Sequence, residues 1–294
     1  MPELPDVSVY VECLDRRLRG EQLERVRVVS FFLVRTASPR LPDLEGKRVL
    51  AFRRMGKRLV WEFEDDLFLV LHLMIAGRLR WRERGAKPPG RIGLAAFDFA
   101  PGTLLLTEAG TKKRASIHVV RGEAAVRALD PGGAELDAID ATRFRELLLR
   151  ENHTLKRTLT DPKLLSGIGG AYADEILHRA RLSPIALTQK LDEDTTTRLH
   201  RASIDVLREW TQRLREEVGD GFPEEVTAFR KGMAVHGRFG EPCPACGTKV
   251  QRIVHVGRET NYCPRCQTGG KILADRALSR LLHDDWPKTV EDLE

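Results

Sequence analysis

The chain has no apolar run approaching the roughly 20 residues that a membrane-crossing helix requires, which argues against a helical membrane protein. Its opening, Met1-Pro2-Glu3-Leu4-Pro5-Asp6, is acidic and lacks the basic stretch of a secretory leader, so a cytoplasmic protein is expected. Cysteine is scarce. There are five in 294 residues, and four of them sit in two C-x-x-C pairs near the end. That usage disfavours a disulfide-stapled scaffold, and in a reducing compartment it points to metal. No internal repeat and no low-complexity tract is visible. What is present suits a soluble protein of two domains or one large one: 41% hydrophobic residues, 31% charged, and 49 Lys and Arg against 43 Asp and Glu. The basic surplus suits a polyanionic partner without requiring one.

Val7, Val11, Leu14 and Leu18 recur at helical spacing and predict a helix over 6–19, stopped by Gly20. Cys13 falls inside it as a buried, inert thiol. Strand-like runs follow at 26–29, 49–52, 59–63, 67–73, 78–81, 94–99, 103–106 and 117–120, separated by turns such as Asp65-Asp66 and Pro101-Gly102. So many short strands predict a β-sandwich or barrel. Asp130-Pro131-Gly132-Gly133 reads as a linker. Beyond it the pattern turns helical: 140–151 with Asp140 as cap, 154–159, 171–180, and a long helix over 194–218 lined by Leu199, Val206, Leu207, Trp210 and Leu214. The basic segment 271–282 also reads as helix. The fold class expected is α+β: an N-terminal helix plus β-sandwich domain (1–125), a linker (126–138), a helical domain (139–232), a metal-bound β-hairpin (233–268) and a C-terminal extension (269–294).

Four local signals carry chemistry. Cys243-Pro-Ala-Cys246 and Cys263-Pro-Arg-Cys266 are separated by sixteen residues, the spacing of a zinc ribbon. Four thiolates suit one tetrahedral, closed and therefore structural zinc. Apolar residues between the pairs predict two strands with Gly257-Arg258 near their turn, where Arg258 meets either a phosphate or only solvent. The second signal is Ser166-Gly167-Ile168-Gly169-Gly170 ahead of a helix. Backbone N–H groups at a helix start attract phosphate, and Lys156, Arg157 and Lys163 stand upstream, although a plain helix connection has the same look. The third is Pro2. Loss of Met1 would free a secondary amine, and α-amino groups titrate at about 7.7–8.0, so an appreciable fraction would be nucleophilic near neutrality. Glu3 stands adjacent as a general acid. Taken alone, the pair is simply what precedes a helix. The fourth is the basic turn Arg53-Arg54-Met55-Gly56-Lys57-Arg58, which fits a phosphate contact or a solvated charge run.

Together these residues resemble the formamidopyrimidine-DNA glycosylase / endonuclease VIII family. The resemblance runs in order through Met1-Pro-Glu-Leu-Pro-Asp-Val7, Met55-Gly-Lys-Arg58, Leu71-His-Leu-Met-Ile-Ala-Gly-Arg-Leu79, Gly167-Ile-Gly-Gly-Ala-Tyr-Ala-Asp-Glu175 and Gly257-Arg-Glu-Thr260 through Gln267. It implies a bifunctional DNA glycosylase and AP lyase of base-excision repair, whose helical domain is a helix-two-turn-helix and whose partner is double-stranded DNA with a damaged base or abasic site. A monomer is expected. The resemblance makes Pro2 the Schiff-base nucleophile and Glu3 the proton donor. Lys57 would assist catalysis and grip a phosphate, and Arg258, also catalytic, would bind phosphates flanking the flipped nucleotide and support the second elimination. Further DNA contacts would come from His72, Met74, Ile75, Lys112, Lys113, Arg114, Lys156, Gly169 and Gly170, and zinc would sit on Cys243, Cys246, Cys263 and Cys266.

The chain departs from the family pattern at named places. Asp6 replaces a glutamate. Gly170 replaces the usual asparagine. Ile75 stands at the methionine wedge, with Met74 at a glycine position. The segment 107–114 replaces a recognisable Asp-Pro-Arg-Arg-Phe loop. A further 27 residues follow Gln267. Leu4 leans toward the purine-directed branch, which removes 8-oxoguanine and formamidopyrimidines, while the altered loop leaves oxidised pyrimidines or a less usual lesion open. The rival expectation is a non-catalytic zinc-ribbon protein that binds damaged DNA.

Overall fold

Pro5 costs nothing near the start of helix α1 (Leu4–Leu18), because first-turn N–H groups have no partner within a helix. The computed structural model describes residues 1–255, 258–275, 278–282 and 286–293; the side chains of Arg258, Leu278 and Leu293 fall outside that description. The chain divides into two compact units, Met1–Pro131 with Glu209–Thr227, and Gly132–Arg208 with Ala228–Glu294.

In the first unit, eight strands form two antiparallel four-stranded sheets. The strands are β1 (Arg25–Val28), β2 (Val49–Met55), β3 (Arg58–Phe63), β4 (Leu67–His72), β5 (Gly77–Arg82), β6 (Gly93–Phe99), β7 (Gly102–Glu108) and β8 (Ser116–Arg121). One sheet runs β1-β6-β7-β5 and the other β2-β3-β4-β8, the sandwich expected from the strand density. Their inner faces and α1 share one core, in which Trp61 lies 5.0 Å from Phe97, centroid to centroid. Each fully buried Leu or Phe there contributes about 1.5–3 kcal/mol. Strands β3 and β4 read as nearly unbroken apolar runs because both faces are buried. Val60, Phe68 and Val70 point to a second cluster, closed by Val126 of helix α2 (Glu123–Arg127), which the sequence pattern did not predict.

Helix α1 is also buried on two sides. Val7, Tyr10, Leu14 and Leu18 face the sandwich core, and Val9 with Cys13 packs on Leu214. Tyr10 rather than Val11 completes the main stripe. Its hydroxyl accepts from Leu79 N at 3.3 Å, which satisfies the polar tip of a fully buried ring.

In the second unit, helix α3 (Ala141–Leu149) is capped by Asp140, whose carboxylate accepts from Arg143 N at 2.7 Å. Helix α4 (Leu155–Leu159), the glycine-rich turn and helix α5 (Gly170–Arg179) follow. Helix α6 (Glu193–Val218) is divided between the units, its residues through Arg208 belonging here and those from Glu209 to the first. The hairpin consists of β9 (Gln251–His255) and β10 (Arg258–Tyr262), with helix α7 (Pro264–Thr268) after it. The basic segment 271–282 departs from the expected helix. Within 271–282 only α8 (Leu278–Leu282) is helical among the described residues. Lys271 instead bridges Thr289, Ile272 N donates to Lys288 O at 2.8 Å, and Leu273 N donates to the Tyr262 hydroxyl at 2.7 Å. Partners distant in sequence override the local helical preference.

Candidate active site and metal centre

The amino end of α1 concentrates titratable groups in the first unit. Glu3 is 3% exposed, and its N–H donates to the Asp6 carboxylate at 2.8 Å. Asp6 thus serves the helix start despite being one methylene shorter than the family's glutamate. The terminal amine is held below its ordinary range, chiefly by burial. The Glu3 carboxylate opposes that shift, while Arg78 and Lys57 add to it. Lys57 occupies the β2–β3 turn, where Gly56 takes φ 58°, and burial pushes its ammonium down against the pull of Glu3. The Met1 amine, Glu3 and Lys57 therefore share one electrostatic neighbourhood, with Pro2 lying between the first two in the chain.

His72 ends β4, paired across the sheet with Arg58 on one side and Ser116 on the other. Burial first, then the cations Arg58 and Lys57, lower its imidazole to about 4, so it is neutral near pH 7. Its Nε2 is buried and makes no hydrogen bond among the described residues.

The turn after β4 is sharp. Gly77 N donates to Leu73 O at 2.9 Å, and a Cβ on Gly77 would lie 2.2 Å from that oxygen, so only glycine fits. Met74 takes a left-handed φ of 55°, and Ile75 is 55% exposed at the tip. Arg78 fastens the turn, donating to Ile75 O at 3.2 Å, to Gly77 O at 2.7 Å and to Val226 O. Nothing in its local spacing marks it.

Segment 107–114 is organised by Glu108, which is 1% exposed. Its carboxylate accepts from Arg114 N at 2.9 Å and Ala115 N at 3.1 Å, and its carbonyl accepts from Lys113 Nζ. The Lys113 ammonium is turned inward, while Lys112 and Arg114 are exposed. A carboxylate at a strand end gives no sequence signal for this function.

In the second unit, Gly167 takes φ 80°, Gly169 caps α5 and Gly170 opens it. A Cβ on Gly170 would meet nothing within 4 Å. Lys156 donates to Gly170 O at 2.5 Å and pairs with the fully buried Asp174 carboxylate, which also contacts His236 Nδ1 at 2.7 Å. Lys156 thus braces the glycine turn from inside.

The four cysteine sulfurs lie within 4.8 Å of one another, with Cys243 to Cys266 at 3.9 Å and Cys246 to Cys263 at 3.4 Å. Zinc–sulfur bonds of about 2.3 Å set tetrahedral sulfurs about 3.8 Å apart, so the cluster fits one zinc ion. With four protein ligands no position is left for substrate, which makes the metal structural. Arg258 opens β10 opposite His255.

The sequence matches family models for the formamidopyrimidine-DNA glycosylase N-terminal domain over residues 1–114, its H2TH domain over 129–217, and the zinc finger found in FPG and IleRS over 240–269. The formamidopyrimidine-DNA glycosylase of Heliobacterium modesticaldum is 32% identical over 285 residues, covering 91% of this chain and all of that protein. The chain belongs to the formamidopyrimidine-DNA glycosylase family. As such it is a DNA-repair glycosylase with AP lyase activity. An uncharacterized formamidopyrimidine-DNA glycosylase-like protein of Mycobacterium tuberculosis is 42% identical over 156 residues, 53% of this chain and 95% of that one. The Lactococcus lactis formamidopyrimidine-DNA glycosylase, solved with DNA containing an AP site, superposes with TM-score 0.79 at 28% identity, covering 90% of this chain and 99% of that one. A second structure of that enzyme, with DNA containing an oxidized pyrimidine, gives TM-score 0.80 over 91% of this chain and all of that one. Among the described residues, no helix is long and apolar enough to cross a membrane.

Proposed function

We propose that this glycosylase works on double-stranded DNA through a covalent bond between its own Pro2 nitrogen and the sugar of the damaged nucleotide. The observation that carries the reading is the half-buried Met1 amine, which is depressed chiefly by burial and lies in the field of Glu3, Arg78 and Lys57. Removal of Met1 would leave the Pro2 amine in that environment, where a low proton affinity keeps its lone pair available. The lone pair attacks C1′, the bond to the base breaks, and the proton shed by the amine nitrogen balances the negative charge carried off by the base. Glu3 delivers a proton to the ring oxygen as the sugar opens, leaving an iminium between protein and C1′. The iminium acidifies the C2′ hydrogens. Loss of one expels the 3′ phosphate by β-elimination, and a further proton loss expels the 5′ phosphate by δ-elimination. A one-nucleotide gap with phosphate at both ends results.

The remaining residues grip and open the duplex. Lys57 and Arg258 meet phosphates beside the lesion, and neutral His72 offers its unpartnered Nε2 to the same backbone. The N–H groups of Gly169 and Gly170 bind phosphate at the start of α5. Lys156 acts there by bracing, Lys113 acts by tying segment 107–114 to Glu108, and Lys112 and Arg114 lie along the DNA strand facing that segment. Ile75 or Met74 fills the gap left by the flipped nucleotide. In this division of labour residues 1–125 carry the chemistry, while 139–232 and 233–268 hold the duplex. A cytoplasmic location suits four thiols kept reduced for metal.

The test is borohydride trapping on a duplex containing an abasic site. Reduction of the iminium gives a protein–DNA adduct that survives denaturing electrophoresis. A residue added ahead of Pro2 converts the amine to an amide and abolishes the adduct. Trapping that persists undiminished in the blocked protein would assign the nucleophile to a lysine and defeat the reading.

A further inference from the structure

One face of α5 grips the chain that leads into the zinc finger. Glu175 accepts from the N–H groups of Ala234 at 2.7 Å, Val235 at 2.9 Å and His236 at 3.0 Å. Asp174 holds the His236 ring at 2.7 Å. One turn further along the helix, where residues three and four apart share a face, His178 Nε2 lies 3.3 Å from Cys243 Sγ. Gln267, just beyond the last cysteine, donates to Leu182 O at 2.9 Å, three residues after α5 ends. The finger therefore rests on this helix through side chains that ordinary zinc-ribbon spacing does not supply.

We propose that His178 donates its Nε2–H to the Cys243 thiolate, acting as a positioning residue that ties the metal centre to helix α5. Four thiolates around one divalent ion leave a net negative charge, and N–H donors to sulfur offset it. They also fix the direction of the sulfur lone pairs. The second cysteine pair has a backbone donor of this kind, Cys266 N to Cys263 Sγ at 3.5 Å. At Cys243 the corresponding donor is a side chain reaching in from another element, so the glycine turn at the start of α5 and the metal site near its end become one mechanical body. The proposal depends on zinc at the four cysteines and not on the covalent chemistry at Pro2.

Two measurements on the full-length, metal-loaded protein test it. In the first, zinc transfer to an excess of chromogenic chelator is timed for the unaltered protein, His178→Phe and His178→Gln. Loss of an outer-shell donor typically costs about ten- to a hundredfold in metal affinity, so His178→Phe should release zinc faster by roughly that factor. His178→Gln, which keeps an N–H, should recover part of the difference. The second needs no variant and so survives a failure of His178→Phe to fold. The protein is loaded with cadmium-113 and labelled with nitrogen-15, and the His178 side chain is observed. A protonated Nε2 whose proton couples weakly to cadmium across the sulfur is expected. A bare Nε2, or a direct nitrogen–cadmium coupling that makes His178 a ligand, overturns the proposal, as does identical zinc release from the unaltered protein and His178→Phe.

Discussion

The backbone N–H of Glu3 donates to the carboxylate of Asp6 across 2.8 Å, so the residue one expects to supply the proton is itself fixed by the side chain three positions on. Replacing Asp6 with alanine should cost about 1 kcal/mol, the usual loss for a helix-start acceptor, and should slow base excision more than cleavage of a preformed abasic site. Urea unfolding together with the two activity assays checks this. Equal losses in both activities would show that Asp6 merely stabilises α1.

His72 makes stability pH-dependent. Its imidazole is lowered from 6.5 to about 4, so on acidification the unfolded chain takes up a proton first. Stability contributed by the neutral ring is complete above pH 6.5 and is lost as pH falls through 4. The shift is equivalent to about 3 kcal/mol. His72→Gln should flatten the decline by a comparable amount when urea unfolding is compared at pH 7 and pH 4.

Lys57 is a trade of stability for function. Burial depresses its ammonium, so near neutrality the folded protein bears a desolvated charge that the unfolded chain does not. The penalty fades as pH rises through the lowered value toward the ordinary lysine range. Lys57→Met should therefore raise stability at pH 7 by about 0.5–2 kcal/mol, with a smaller gain at high pH. It should also weaken DNA binding and reduce the salt slope by about one unit.

Gly170 offers a gain. The space beyond its Cα is open, so an asparagine is accommodated without displacing anything. Gly170→Asn should tighten binding to an abasic duplex by about 1 kcal/mol through a new neutral hydrogen bond. The salt slope should not change, because no charge is added. Filter binding over a salt series reads both.

Met74 and Ile75 separate strain from wedge action. Met74→Gly should stabilise the protein by about 1 kcal/mol by relieving the left-handed backbone. Ile75→Ala should leave stability unchanged and reduce excision from intact duplex while sparing a preformed abasic site. If neither substitution affects excision, another side chain fills the gap.

What the sequence made legible was periodic or closely spaced. The α1 stripe, the run of short strands between turn residues, the Asp140 cap and the cysteine pairs each state themselves within a few residues. What stayed hidden depends on partners far along the chain. Tyr10, not Val11, is buried in the core, where the Leu79 N–H meets its hydroxyl. Glu108 looks like any strand-end carboxylate until 114 and 115 turn back onto it. Residues 271–273 look helical until 288 and Tyr262 capture their N–H groups. His178 is an unremarkable helix residue until Cys243 arrives.

The division of α6 between the two units governs the order in which the protein can be born. Helix α1 needs Leu214 against Val9 and Cys13. Its Arg17 needs the carbonyls of Asp220 and Gly221, each at 2.7 Å, and its Glu12 needs Arg215 at 2.7 Å. None of these exists while the ribosome is still reading the linker at 131. The amino-terminal half thus leaves the exit tunnel with one side of its first helix bare, and it can close only after the intervening helices have been made. A nascent chain stalled before residue 227 should be sensitive to protease in α1, whereas one stalled well beyond it should not.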